Sequence, residues 1–180
     1  REALKSRMRW PPGFLGEGEF VFGNALFHND GSGRFSEVSD RAGAENYWPW
    51  GISVGDVNAD GWDDVFVTSG MGYPFCYGVN SLLLNDRVAR CVDAAFTLGV
   101  EPRRGGRTHT AWFDLDCDGT DQARPECGGR TGLVRVASPL SSRSSVMLDL
   151  EGDGGLDIVT NELHDTPMVL VSDLAARKPI

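Results

Sequence analysis

Short apolar runs, each broken by Gly, Asp, Asn or Pro, set the rhythm of this chain. Ile52-Ser53-Val54, Val65-Phe66-Val67-Thr68, Val146-Met147-Leu148 and Ile158-Val159-Thr160 are rich in β-branched and aromatic residues and too short for helices. Each predicts a strand. Leu133-Val134-Arg135-Val136 and Met168-Val169-Leu170-Val171 read the same way. No apolar stretch approaches the ~20 residues that a membrane-spanning helix needs.

The pattern also repeats. Asn24-Ala25-Leu26-Phe27-His28-Asn29-Asp30 matches Asn80-Ser81-Leu82-Leu83-Leu84-Asn85-Asp86, and the same spacing carries Arg34 to Arg90, Gly43 to Gly99 and Glu45 to Glu101. One unit then reads as a hairpin with strands near 24–29 and 34–39, a connection, a strand, an acidic loop and a strand. Four strands in ~56 residues make one blade of a propeller. Such a sheet has two apolar faces and must stack on neighbours. The chain is therefore expected to be all-β, a β-propeller fragment of about three four-stranded blades. Residues 1–20 form a lead-in, the repeats occupy 21–172 (about 21–73, 77–123 and 130–172), and 173–180 link to a missing C-terminal part.

Acidic residues sharpen this picture, because 11 of the 17 Asp fall within 56–64, 114–122 and 149–157. The first window carries Asp56, Asn58, Asp60, Gly61, Trp62 and Asp64. The second carries Asp114, Asp116, Asp118, Gly119 and Asp121, with Gln122 where a ninth-position carboxylate is expected. The third carries Asp149, Glu151, Asp153, Gly154 and Asp157. Oxygen donors at positions 1, 3 and 5, a turn glycine at 6, a backbone carbonyl at 7 and a carboxylate at 9 describe a loop wrapped around a hard cation. Ca²⁺ accepts six to eight oxygens in loose geometry and suits such a loop best. An EF-hand would need flanking helices and a Glu at position 12, where this chain has Val67, Pro125 and Thr160. For any single window the bland alternative is an Asp/Gly turn that bonds its own backbone.

Composition narrows the function classes. Hydrophobic residues make up 41% of the 180 residues, with five Trp and nine Phe, which excludes a disordered chain. The net charge of −9 and the scattering of the 15 Arg argue against a nucleic-acid partner. No signal peptide is visible. Cys117 and Cys127 stand at a spacing that a disulfide can close, while Cys76 and Cys91 are either a second bridge or free thiols, Cys91 sitting at the repeat's core position. His28, His109 and His164 lie apart in sequence and read as structural, and the Ser141–Ser145 run reads as a loop. Tyr47-Trp48-Pro49-Trp50 and Arg103-Arg104-Gly105-Gly106-Arg107 occupy corresponding connections. Burial of the Trp side chains between blades is the usual fate of Trp; the alternative is an exposed face for sugars or carboxylates.

On Gly55-Asp56 to Asp64 and its companion loops, the chain resembles the FG-GAP or VCBS repeats of integrin-alpha-type propellers. The pairing with Asn24-x-Leu26-x-x-Asn29 and Phe35-x-x-Val38 is similar to the ASPIC/UnbV, cartilage-acidic-protein-like subgroup. The resemblance spans roughly residues 20–172, and Cys91 departs from it where an aromatic is expected. It implies a Ca²⁺-binding, non-catalytic module for extracellular recognition or adhesion, secreted, surface-displayed or periplasmic, with a protein or glycan ligand. It assigns metal to Asp56, Asn58, Asp60 and Asp64, to Asp149, Glu151, Asp153 and Asp157, and to Asp114, Asp116 and Asp118. The rival expectations are the propeller portion of a secreted carbohydrate- or lipid-cleaving enzyme, its catalytic residues outside this chain, and a structural matrix protein.

Overall fold

The computed structural model describes residues 24–87 and 90–174. The expected lead-in and most of the expected C-terminal linker lie outside the described residues. Within them the chain is all-β apart from the one-turn helix α1 (Ser39–Ala42) and a single 3-10 turn at Arg104–Gly106. The strands are β1 (Phe27–Asn29), β2 (Phe35–Glu37), β3 (Pro49–Gly55), β4 (Asp64–Ser69), β5 (Ser81–Asn85), β6 (Cys91–Asp93), β7 (His109–Asp116), β8 (Leu133–Pro139), β9 (Ser142–Leu148), β10 (Asp157–Glu162) and β11 (Met168–Leu170).

The sequence repeat reappears bond for bond. β1–β2 and β5–β6 are the same hairpin, with Asn29 opposite Phe35 and Asn85 opposite Cys91. The turn of the first is closed by Asp30 N–H to Arg34 C=O at 3.1 Å, that of the second by Asp86 N–H to Arg90 C=O at 2.9 Å. In both, the Asp side chain takes a further backbone N–H across the turn, from Arg34 and Arg90 respectively. Asp at a turn start favours this arrangement because its short side chain reaches the backbone beyond it.

The sheets divide differently from the expected blades. Strand order is β3-β4-β5-β6 in one four-stranded antiparallel sheet, β11-β10-β9 in a three-stranded one, and β1–β2 and β7–β8 stand as pairs; none closes on itself. The hairpin around the first acidic loop, β3–β4, pairs forward with β5–β6. The sheet thus runs across the boundary drawn near 73–77, because Val65 and Val67 register with Leu83 and Ser81.

Burial on both faces of the four-stranded sheet follows from side-chain alternation. Phe66 and Leu82 face one way, onto Ile158, Met147 and Leu156 of the β9–β11 sheet. Val67 and Leu83 face the other way, onto Ala42 and Ala44 beside α1. Enclosing a side chain such as Phe66, which is fully buried, contributes roughly 1.5–3 kcal/mol. β3 and β4 lie against β9. The approach is close at Gly51, where a Cβ would come within 2.9 Å of the Arg143 carbonyl, and the Ser53 and Ser145 hydroxyls bond at 2.7 Å. β7–β8 carries its own small core of Leu115, Val134, Val136 and the Cys117–Cys127 disulfide. Cys76 and Cys91 are free thiols.

Candidate functional site

Two of the acidic windows form matching turns at one end of the sheets. In loop one (56–64), Asp56 accepts the Asp60 N–H at 3.0 Å and the Gly61 N–H at 2.8 Å. Asn58 Oδ1 accepts the Asp60 N–H at 3.1 Å, and Asp60 Oδ1 accepts the Trp62 N–H at 3.0 Å. Loop three (149–157) repeats this. Asp149 accepts the Asp153 N–H at 3.1 Å and the Gly154 N–H at 2.9 Å, and Asp153 accepts the Gly155 N–H at 2.8 Å. Both turns pass through a left-handed glycine, Gly61 at φ 88° and Gly154 at φ 89°, a conformation that costs glycine little.

The ninth-position carboxylates are the most buried part of each loop. Asp64 accepts the Val57 N–H at 3.1 Å and the Asn85 N–H at 2.9 Å. Asp157 accepts the Leu150 N–H and the Ser172 N–H, both at 2.8 Å. Each therefore ties its own loop to the end of the next strand. Burial pushes the Asp64 carboxyl above the ordinary aspartate range, the carboxylates of Asp60 and Asp56 push the same way, and the two backbone donors oppose them. Around Asp149 the balance is reversed, because the N–H groups of Gly154, Gly152 and Asp153 hold its carboxyl low.

These loops fit a hard cation in donor type and spacing. Every side-chain donor is oxygen, and a carboxylate oxygen that accepts one N–H retains a lone pair for a metal. Asp56, Asn58, Asp60, Asp64 and the Trp62 carbonyl would hold the ion in loop one; Asp149, Glu151, Asp153 and Asp157 would hold it in loop three. Among the described residues, no three His, Cys, Asp or Glu side chains are already drawn together into a metal cluster. A charged contact also distinguishes the two turns: Arg87 Nη2 lies 3.2 Å from Asp60 Oδ2.

The second window does not form this turn. β7 continues through Asp114 to Asp116, so Asp114 faces Arg135 across the β7–β8 pair and is gripped at 2.8 and 2.9 Å. That guanidinium holds the Asp114 carboxyl below its usual range. Asp118 instead accepts the Gly132 N–H at 2.7 Å, and Asp121 accepts the Asp116 N–H at 3.0 Å. Of the expected set, Asp114 and Asp116 thus lie on β7, and Asp118 enters the disulfide-closed connection to β8. The missing ninth carboxylate is the physical reason: nothing equivalent to Asp64 ties this segment to a following strand.

At the opposite end of the sheets the two connections singled out by sequence diverge. The expected burial of Trp50 does not occur: it is 52% exposed, its Nε1–H donates to the Gly70 carbonyl at 2.5 Å, and the Arg143 guanidinium lies 4.1 Å from its ring centroid. Arg103, which only the exposed-face alternative placed at the surface, is buried against Glu162 at 2.5 Å. Its backbone N–H and Nε–H reach Glu101 and the Tyr77 hydroxyl, and Nη2–H reaches Ser142. Arg107 pairs with Asp165, and Arg104 is exposed. Tyr77 and Glu162 gave no sequence signal of this role, since neither stands near Arg103 in the chain.

Residues 16–67 match the family model of the FG-GAP-like repeat. The matched segment contains the first hairpin and all of loop one, so the likeness rests on the elements that carry the repeat's hydrogen bonds. No curated protein matches the chain.

Proposed function

We propose that this chain is a Ca²⁺-binding propeller module of the FG-GAP-like repeat type, of the cartilage-acidic-protein-like kind, that works by recognition or adhesion and carries no catalytic centre of its own. The observation that carries the reading is the identity of loops one and three. Two segments far apart in sequence share the hydrogen bonds made by their first, fifth and ninth positions, the same left-handed glycine and the same buried ninth-position carboxylate. The turn's own N–H groups occupy one lone pair of these oxygens, and a cation in each loop would use the others. When bound, Ca²⁺ supplies neutralising charge among carboxylates that otherwise repel. The chain's residues supply the rest: backbone N–H groups orient Asp56 and Asp149, and Asp64 and Asp157 couple each loop to the sheet.

An extracellular or periplasmic setting agrees with this reading. The Cys117–Cys127 bridge suits an oxidising compartment, and extracellular calcium modules work at ~10⁻⁴–10⁻³ M ion, which cytosol does not offer. Thermal melts in millimolar calcium and in excess chelator test the proposal. The midpoint is expected to rise with calcium, by the linkage of a ligand that binds only the folded state. Identical midpoints would remove the calcium reading.

A further inference from the structure

The end of the sheets opposite the acidic loops carries two aromatic centres joined by one strap of backbone. At the first, the Gly70 carbonyl receives Trp50 Nε1–H at 2.5 Å, Ser141 Oγ–H at 2.8 Å and Arg143 Nη1–H at 3.1 Å. Three elements, β3, the β8–β9 link and β9, are thereby fixed around an indole that remains 52% exposed. The strap continues to Tyr73, whose N–H donates to Ser138 Oγ at 3.0 Å. There the second centre begins. Tyr73 lies 5.7 Å from Trp112, and Trp112 lies 5.0 Å from His164 at an interplanar angle of 37°. Trp112 is 42% exposed despite those neighbours.

Backbone geometry and unpaired charge both mark this surface. Trp48 and His164, which flank it from the β2–β3 and β10–β11 connections, both adopt left-handed backbone, at φ 51° and 56°. Bulky residues rarely do so, and such outliers gather where side chains are held for binding. The guanidinium charges are also only partly used. Arg107 is paired with Asp165, but Arg143 and Arg104 have no carboxylate partner among the described residues. Burial of Arg143 without a counter-ion lowers its pKa, an arrangement that an arriving carboxylate would relieve. In a chain of net charge −9, an anion would find these guanidinium groups at the end away from loops one and three.

We infer that this end face binds a carboxylate-bearing oligosaccharide. Sugar rings stack on Trp50 and Trp112, and the uronate carboxylates reach Arg143 and Arg104. The ring faces supply the apolar contact that sugar C–H groups prefer, and the guanidinium fork supplies paired N–H donors matched to a carboxylate. This deepens the recognition reading, on which it rests, by naming the ligand class and its surface.

The test is calorimetric titration of the whole chain with oligogalacturonate and with an uncharged gluco-oligosaccharide of equal length, in calcium. Oligogalacturonate is expected to bind, and the neutral sugar to bind about tenfold more weakly or not at all. Trp112→Ala and Arg143→Gln should each weaken oligogalacturonate binding about tenfold. Arg104→Gln changes an exposed side chain and leaves the core untouched, and it too should weaken binding. Melts of the same samples with and without chelator read the calcium proposal independently of the sugar. No heat with oligogalacturonate in a sample that calcium stabilises overturns the glycan inference alone, as does binding that Trp112→Ala, Arg143→Gln and Arg104→Gln leave unchanged. Equal affinity for the neutral sugar, or capture of a protein ligand in place of the sugar, overturns it as well.

Discussion

Asp64 Oδ1 accepts the backbone N–H of Asn85 at 2.9 Å, joining the start of β4 to the end of β5. Asp157 and Ser172 repeat the bond at 2.8 Å between β10 and the residue region after β11. A position that sequence assigns to the metal shell therefore also sets how the loop hairpin meets its neighbouring strand. The proposed cation site and the sheet would share one carboxylate.

Replacing Asp64 by Ala should consequently destabilise the protein in chelator as well as in calcium. It strands the N–H groups of Val57 and Asn85, each otherwise satisfied by that side chain, at a cost of roughly 2–4 kcal/mol in total. Urea unfolding under both conditions measures this. A loss seen only in calcium would mean that Asp64 serves as a ligand and not as a tie.

Arg87 and loop one give a second expectation. Its guanidinium sits 3.2 Å from Asp60 Oδ2 and is about half exposed, so it competes with any cation there but weakly, as surface pairs do. Arg87→Ala should tighten calcium binding at loop one by about two- to fivefold and leave loop three unchanged. Titration of Arg87→Ala against the parent, each carrying Asp153→Ala to silence loop three, reads the effect directly. Unchanged affinity would show that Arg87 swings away without cost.

The second window should bind no ion of its own. With Asp114 held by Arg135 and Asp118 by Gly132 N–H, Asp118→Ala should leave calcium stoichiometry intact, whereas Asp60→Ala should remove one site. Calorimetric counting of ions in both variants distinguishes them. Equal losses would return the second window to the metal set.

What was legible in the sequence was local. Asp30 and Asp86 announce their turns because an Asp side chain bonds backbone only a few residues away, and the strands bordering loops one and three follow from β-branched runs. The second window was less legible for the same reason: Asp at alternate positions looks alike in a cation loop and along one face of a strand. What decided between them was Arg135, brought opposite Asp114 by the β7–β8 register. The exposure of Trp50 and the burial of Arg103 were set by tertiary partners. Trp50 found Gly70 and Arg143, while Arg103 found Glu162, and no spacing rule relates either residue to those partners.

Arg103 gives the last prediction. Its guanidinium and Glu162 lie 2.5 Å apart with side-chain exposures of only 6% and 1%, and Glu162 also accepts the Ser142 hydroxyl at 2.8 Å. Against its desolvation, the Glu162 carboxylate holds the Arg103 pKa above the ordinary value, so the guanidinium keeps its charge. The same guanidinium reaches Tyr77, whose hydroxyl burial pushes well above the ordinary tyrosine range; Tyr77 therefore stays neutral and donates to Glu101 at 2.8 Å. Arg103→Met leaves Glu162 charged and enclosed without a counter-ion, and should cost about 3–5 kcal/mol, the usual range for breaking a buried pair from one side. Arg103→Met combined with Glu162→Gln should recover part of that loss, because the uncompensated charge is gone. Chemical denaturation of both variants tests the coupling: a loss below about 1 kcal/mol in the single variant would place the pair among solvent-screened contacts, and a double variant no better than the single one would show that Arg103 acts through packing and not through Glu162.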